Sequence, residues 1–170
     1  MTATGQDARP SDTAPQGLLL VRLAWIGTAV TCVTSLVNAL TGDRDAYALS
    51  AAPALVMFSV GCVAFLWAFA VAVERSRTEA IGVGGLFFLA GCAPVRVQRS
   101  MLAALAVQAT VPVAVAVVRP FTAFAVLAPM WTLGLAGLWG ARHGTFPARV
   151  DDREAAAGER GATDPSDAPD

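Results

Sequence analysis

Residues 100–141 read SMLAALAVQATVPVAVAVVRPFTAFAVLAPMWTLGLAGLWGA, and Arg119 is the single charged residue among them. A membrane-spanning helix needs about 20 mostly apolar residues to cross the hydrocarbon core. The stretch is therefore long enough to cross twice, over residues 100–118 and 120–141. Pro120 suits the first turn of a helix, where its missing N–H is not needed. So short a link predicts that the two spans are antiparallel neighbours.

Two further apolar stretches of sufficient length lie towards the N-terminus, at residues 18–40 and 50–73. Of the 170 residues, 55% are hydrophobic and 15% are charged, whereas a soluble domain carries about 25% charged residues. This composition excludes a soluble globular enzyme, and a net charge of -1 excludes a nucleic-acid binder. We therefore predict an all-α fold, an integral membrane bundle of four transmembrane helices.

A fifth apolar segment, residues 80–95, has only 16 residues, contains four glycines and ends beside Pro94. Whether this segment crosses the membrane can be inferred from the distribution of the arginines, which are the only basic residues of the chain apart from one histidine. Without a crossing, ten arginines share the side of both termini and only Arg44 and Arg119 lie opposite; with a crossing, the division is five against seven. Because arginine is enriched on the cytoplasmic side, we predict four spans, cytoplasmic termini, and residues 80–95 as an interfacial or re-entrant segment of the inner leaflet.

The two ends of the chain are polar and contain few large apolar residues. Residues 1–17 are predicted to be a disordered cytoplasmic N-terminus. Residues 142–170 are predicted to be a disordered acidic cytoplasmic tail, because residues 151–170 hold seven acids and two arginines. Trp139 lies near the predicted cytoplasmic end of the fourth span, a depth that amphipathic rings favour.

Lipid tails give helices no hydrophobic reason to associate, so small and weakly polar faces must provide close contacts and hydrogen bonds. The first span has such a face, which includes Thr31, Thr34, Ser35 and Asn38. Counted from the turn at Pro120, Gln108 and Thr132 come level on the third and fourth spans, which predicts a contact between them. These six side chains are candidates either for helix packing or for lining a pathway, and the sequence leaves both roles open.

The sequence contains few side chains suited to catalysis, proton transfer or metal binding. The spans contain no Asp, Glu, Lys or His, whereas proton-coupled transport usually needs a titrating group inside the membrane. Cys32, Cys62 and Cys92 form no CxxC pair, and His143 has no second ligand nearby in sequence. We predict no catalytic, cofactor or metal site. Candidate contacts for anionic lipid are five arginines near the predicted inner face: Arg75, Arg77, Arg96, Arg99 and Arg142.

Two stretches, LAGCAPVRVQRSMLAAL (89–105) and RPFTAFAVLAPMWTLGLAGLWGARHGTFPAR (119–149), are the most distinctive of the chain. They resemble a group of small four-span membrane proteins of high-GC actinobacteria to which no activity is assigned. The RPFT turn and the GLWGARHG ending carry the resemblance. It implies a bacterial inner-membrane location and a four-span topology, and it transfers no site.

These observations predict a multi-pass protein of the bacterial inner membrane that acts as an accessory, scaffold or assembly subunit of a membrane complex. Its partners would be the lipid bilayer and another membrane protein or a second copy of itself, without nucleic acid. One alternative is a homo-oligomeric transporter or flippase subunit that uses the polar face of the first span. Another is a membrane-embedded enzyme acting on lipid headgroups, for which only Glu74 and Glu79 would supply a carboxylate.

Overall fold

The computed structural model describes residues 15–41, 47–118 and 120–149, and its regular elements are all helices. They are α1 (Pro15–Thr41), α2 (Tyr47–Arg75), α3 (Val83–Phe88), α4 (Val95–Val118), a 3₁₀ segment (Pro120–Leu127) and α5 (Pro129–His143). Four stretches are long and apolar enough to cross a membrane: Gly17–Thr41, Ser50–Arg75, Val95–Val118 and Phe124–His143. The predicted all-α bundle of four spans is confirmed. Helices α1, α2 and α4 begin three to five residues before their predicted starts.

The four long helices alternate in direction, so α1 and α4 run parallel to each other and opposite to α2 and α5. Near the start of α1 and of α4, the indole Nε1 of Trp25 donates a 2.9 Å hydrogen bond to Ser100 Oγ. Further along the same pair, Thr28 Oγ1 lies 3.3 Å from the carbonyl oxygen of Ala104. The ends of α2 and α5 therefore lie beside the starts of α1 and α4.

Helix α5 is the centre of the bundle, with 56% of its span buried against 22–28% for the other three. Small residues on α2 and α5 let the two backbones approach closely, as helix pairs in membranes require. A Cβ atom added at Gly134 would overlap the carbonyl group of Gly61, and one added at Gly137 would come within 3.1 Å of the Ala68 Cβ. Glycine is thus required at Gly134 by the distance between the two helices.

The fourth span differs from the single helix predicted over residues 120–141, because its first eight residues form a 3₁₀ helix. Pro129 has no N–H, so the carbonyl of Ala125 lacks its usual partner four residues later. That carbonyl instead accepts a 3.1 Å bond from the N–H of Ala128, and Ala128 in turn accepts a 3.0 Å bond from the N–H of Trp131. The α-helix therefore begins at Pro129, where a proline at the first position is favourable.

Residues 80–95 do not cross, because α3 has only six residues and would extend about 9 Å at the helical rise. A tight turn follows, in which Leu89 and Gly91 have φ values of 56° and 74°. The left-handed conformation is unfavourable for leucine, but the Leu89 side chain is fully buried in the core. Burial of that side chain offsets the local backbone cost and holds α3 against α5.

Two predicted positions at the same end need correction. The tail was expected to begin at residue 142, but α5 continues to His143 and residues 144–149 are bound by hydrogen bonds to other parts of the chain. Trp139 was expected at the membrane interface, yet it is only 3% exposed. It packs with Leu89, Met101 and their neighbours in the core, because α5 belongs to the most deeply buried of the four spans. The rest of the predicted tail and the predicted N-terminal region up to residue 14 lie outside the described residues.

Candidate functional site

A cluster of neutral polar side chains, Thr31, Gln108 and Thr132, lies in the middle of the bundle and is called the polar centre below. The hydroxyl of Thr132 donates a 2.5 Å hydrogen bond to Gln108 Oε1, and Gln108 Nε2 donates to Thr31 Oγ1 at 3.3 Å. Gln108 and Thr132 are fully buried and Thr31 is nearly so. The predicted contact between Gln108 and Thr132 is confirmed, and α1 supplies a third member.

The polar centre is satisfied by groups of this chain alone. Thr31 Oγ1 also donates a 2.9 Å hydrogen bond to the carbonyl of Gly27 in the preceding turn of its helix, and it lies 3.8 Å from Met57 Sδ on α2. Both polar atoms of the Gln108 side chain have partners on other helices. Leaving an amide group without a hydrogen-bond partner in hydrocarbon costs several kcal/mol of free energy. The arrangement therefore links α1, α4 and α5 at mid-membrane depth without burying a charge.

The other candidate residues of α1 do not join this cluster. Asn38 is buried and its Nδ2 donates a 2.6 Å bond to Ser50 Oγ at the start of α2. Thr34 donates to the carbonyl of Val30 at 2.9 Å and so bonds within its own helix. Ser35 is buried, and its hydroxyl has no hydrogen-bond partner. The predicted polar face therefore points into the bundle, where α2, α4 and α5 cover most of it.

A second polar region lies where α2 and α5 end and α4 begins. All the arginines that the structure describes lie at this end of the bundle, called the arginine-bearing end below: Arg22, Arg75, Arg77, Arg96, Arg99, Arg142 and Arg149. The sequence signal for this clustering was the uneven distribution of arginine among the loops. Arg44 and Arg119, predicted for the opposite side, are not among the described residues.

Arg75, the last residue of α2, binds the end of α5. Its guanidinium donates to the carbonyl of Ala141 at 2.6 Å, to that of Gly144 at 3.1 Å and to the carboxylate of Glu79 at 2.7 Å. The same group lies 5.6 Å from the ring centre of Phe146. The last carbonyls of a helix lack partners within it and carry partial negative charge. Arg75 is thus a helix cap and an ion-pair partner. Its guanidinium group, which the sequence predicted to contact anionic lipid, is already hydrogen-bonded within the protein.

The segment after α5, residues 145–149, crosses the connection between α2 and α4 and is called the C-terminal strap below. The backbone N–H of Arg149 donates to the carbonyl of Thr78 at 3.0 Å, and that of Ala80 donates to Pro147 at 2.9 Å. The N–H of Thr145 donates 3.1 Å to the carbonyl of Cys92. The sequence carried no local signal for this segment, because its bonds run between backbone groups far apart in the chain.

The remaining candidates for lipid contact, Arg77, Arg96, Arg99 and Arg142, are exposed at the arginine-bearing end. Contact of these side chains with anionic lipid stays a prediction. Arg149 also lies at this end, and its exposed side chain is fixed by a 2.9 Å hydrogen bond from Nη1 to the carbonyl of Ser76. A signal existed in its position near the end of the last span, but nothing in the sequence indicated which group would hold it.

The described side chains offer little nucleophilic or metal-binding chemistry. Among residues 15–41, 47–118 and 120–149, no three His, Cys, Asp or Glu side chains come together in a group suited to a metal ion. Cys92 is buried beside α3, and this burial raises the pKa of the Cys92 thiol. The sulfur therefore stays protonated and donates a 2.9 Å bond to the carbonyl of Gly85. Glu79 is paired with Arg75, which leaves Glu74 as the exposed carboxylate.

No protein-family model matches the chain, and no match was found among curated proteins or among solved structures. What the protein does therefore has to be inferred from its own geometry.

Proposed function

We propose that the protein is an accessory, scaffold or assembly subunit of the bacterial inner membrane, and that another membrane protein binds along the outer face of α4. The observation that carries this proposal is a difference between the outer surfaces of the helices. On α1 and α2 the exposed side chains include bulky ones beside valines and small residues: Trp25, Ile26, Leu36, Leu55, Leu66, Trp67 and Phe69. The uncharged side chains exposed on α4 are limited to Ala, Val and Thr, among them Ala103, Ala106, Val107, Thr110, Val113, Ala114, Val117 and Val118.

Small residues at three- and four-residue intervals allow a second helix to approach closely, whereas large apolar residues suit contact with lipid chains. Ala103, Ala106, Thr110 and Ala114 follow this spacing along one side of α4. The Thr110 hydroxyl donates 2.7 Å to the carbonyl of Ala106, so it adds no unpaired polar group to the surface. The outer face of α4 thus combines the features that favour a helix partner.

The interior of the bundle supports a structural role as well. The polar centre uses its hydrogen-bonding groups within one chain, and the buried polar face of α1 is not free to line a path between two copies. The arginine-bearing end supports a cytoplasmic position for that end and for the region beyond Arg149, because arginine is enriched on the cytoplasmic side of membrane proteins.

The proposal can be tested by gentle extraction of tagged protein at native expression into nanodiscs, followed by quantitative mass spectrometry. We expect a stoichiometric membrane-protein partner with the unmodified chain. Ala106→Leu should reduce partner recovery about tenfold, because an added side chain at a close helix contact costs roughly 1–3 kcal/mol. Ala29→Leu on α1 and Ala70→Leu on α2 are matched controls, since both alanines are exposed on other faces.

Three results would contradict the proposal. A chain that is recovered alone as a monomer would show that it has no stable partner. Equal losses with all three leucine variants would show that the outer face of α4 has no special role. A homodimer that Ala106→Leu dissociates would favour the homo-oligomeric alternative instead.

A further inference from the structure

A groove lies between the last turns of α2 and the segment around α3, and it has an apolar and a polar half. The apolar half is bounded by Phe69 and Val73 of α2 and by Leu86 and Phe87 of α3. The polar half is bounded by Glu79 and Arg149. Ser76, Ile81 and Gly82 line both halves, so the groove is continuous from one to the other.

The apolar half opens towards the lipid. Phe69 and Val73 are 51% and 50% exposed and belong to the final turns of a membrane span. Val83, at the start of α3, is 69% exposed on the other wall. Apolar side chains at this depth face hydrocarbon, and a groove between two such walls suits one acyl chain. The polar half lies at the arginine-bearing end, where lipid headgroups would be.

Arg149 is held over the polar half by bonds that leave most of its donors available. Its backbone N–H is fixed to Thr78 and its Nη1 to the carbonyl of Ser76. The Glu79 carboxylate also lines this half, but the 2.7 Å ion pair with Arg75 balances its charge. The charge that remains for a ligand is therefore the positive charge of Arg149.

We propose that this groove binds an anionic phospholipid, with an acyl chain between α2 and α3 and the headgroup phosphate at Arg149. A guanidinium group matches the geometry of a phosphate and forms two parallel hydrogen bonds with it. The apolar half gives a lipid an advantage over free phosphate, because its walls make van der Waals contacts with an acyl chain that free phosphate lacks. This site is independent of the outer face of α4 and of the partner proposed for it.

The test is native mass spectrometry of the full chain in detergent, titrated with phosphatidylglycerol or with phosphatidylcholine of the same acyl chains. We expect tighter binding of phosphatidylglycerol. Arg149→Gln should weaken that binding about tenfold, because it removes charge-assisted hydrogen bonding to the phosphate, and should weaken phosphatidylcholine binding less, because the choline cation already balances its phosphate charge. Arg142→Gln is the matched control, because Arg142 is exposed at the same end and lines neither half.

The groove itself is tested by filling it at Gly82, where its two halves meet. A Cβ atom at Gly82 meets no atom within 4 Å, and its φ of -94° suits any residue. Gly82→Leu therefore places a side chain at the groove without a clash and should weaken the binding of phosphatidylglycerol several-fold, because the filled groove loses its van der Waals contacts with the acyl chain. Gly84→Leu is the control, since a Cβ there also meets nothing within 4 Å and Gly84 lines neither half.

Several outcomes would overturn the proposal. Equal losses from Arg149→Gln and Arg142→Gln would show general attraction to positive charge. Unchanged binding with Gly82→Leu, together with displacement of the lipid by inorganic phosphate, would show a phosphate site without an acyl groove. Equal affinity for the two lipids would show that the groove does not select an anionic headgroup.

Discussion

The polar centre and the arginine-bearing end bury polar groups in two different ways. In the polar centre, neutral side chains on α1, α4 and α5 bond to one another, and Gln108 is fully buried. At the arginine-bearing end, one cation on α2 binds backbone carbonyls at and beyond the end of α5 and pairs with Glu79. One region joins helices through side chains at mid-span, and the other joins helix ends and loops through a guanidinium group.

The difference follows from the cost of placing charge in hydrocarbon. A neutral amide can be satisfied by two hydroxyl groups, whereas a guanidinium ion at mid-membrane depth costs at least about 2.5 kcal/mol. The cation is therefore found where a helix ends, near water and near carbonyls that lack partners. The middle of the bundle, which comprises the polar centre and the close contact of α2 with α5 and is called the mid-span region below, depends on close approach of the helices. The arginine-bearing end depends on the guanidinium of Arg75.

The largest expected effect comes from forcing α2 and α5 apart. Gly134→Ala places a methyl group against the Gly61 carbonyl, and backbone atoms cannot move aside as a flexible side chain does. We expect a loss of about 3 kcal/mol or more in the free energy of unfolding, at the upper end of overpacking effects. Unfolding by SDS titration in mixed micelles measures it.

Gly84→Ala is the control for that experiment, because its Cβ would meet no atom within 4 Å. It should change the free energy of unfolding by less than about 1 kcal/mol, the intrinsic difference between glycine and alanine. If both variants were equally stable, close contact between α2 and α5 would not hold the mid-span region together.

A smaller effect is expected from removing the cation of the arginine-bearing end. Arg75→Gln takes away the charge that binds Ala141, Gly144 and Glu79, and should cost about 2 kcal/mol, the value of a hydrogen bond to a charged group. Hydrogen exchange gives the sharper measurement. The amides of Ala80, Thr145 and Arg149, whose hydrogen bonds attach the C-terminal strap to the rest of the chain, should lose protection, while the amides of α4 around Gln108 should keep theirs.

Arg77→Gln is the matched control, since Arg77 is two residues away and exposed. It should leave both the strap and the free energy of unfolding unchanged within about 0.5 kcal/mol, as expected for a surface substitution. Loss of protection throughout the bundle with Arg75→Gln would mean that the two regions are not independent.

The mid-span region was the more predictable of the two. Gln108 and Thr132 lie at equal sequence distances from Pro120, so a hairpin of two helices brings them level. The contact forms even though part of the fourth span is a 3₁₀ helix, whose rise of about 2.0 Å per residue exceeds the α-helical 1.5 Å. A long amide side chain tolerates such a shift. The participation of Thr31 depended on which helix packs beside the hairpin, and the sequence does not specify that.

The arginine-bearing end was predictable only in its charge. The count of arginines placed Arg75 and Arg142 on one side, but it could not separate a helix cap from a lipid contact. That distinction depends on a turn with Leu89 in a left-handed conformation and on the backbone bonds of the C-terminal strap. Neither leaves a periodic pattern in the sequence. The burial of Trp139 was missed for a related reason, because its depth was predicted without knowing that α5 is central.

The smallest expected effect concerns the bond between Gln108 and Thr132, and it tests whether the polar centre adds stability or only specificity. A double-mutant cycle with Gln108→Leu and Thr132→Val isolates the coupling of the two side chains. Hydrogen bonds between membrane helices contribute about 0.6 kcal/mol on average and at most about 1.7 kcal/mol, because polar groups also find partners in the unfolded state within the membrane. We expect a coupling in that range by SDS titration.

Thr110→Val is the control, since Thr110 is exposed and bonds only within α4, and it should show no coupling to Thr132. A coupling near zero for Gln108 and Thr132 would mean that glycine packing alone holds the mid-span region, and that its polar groups are satisfied without stabilising it.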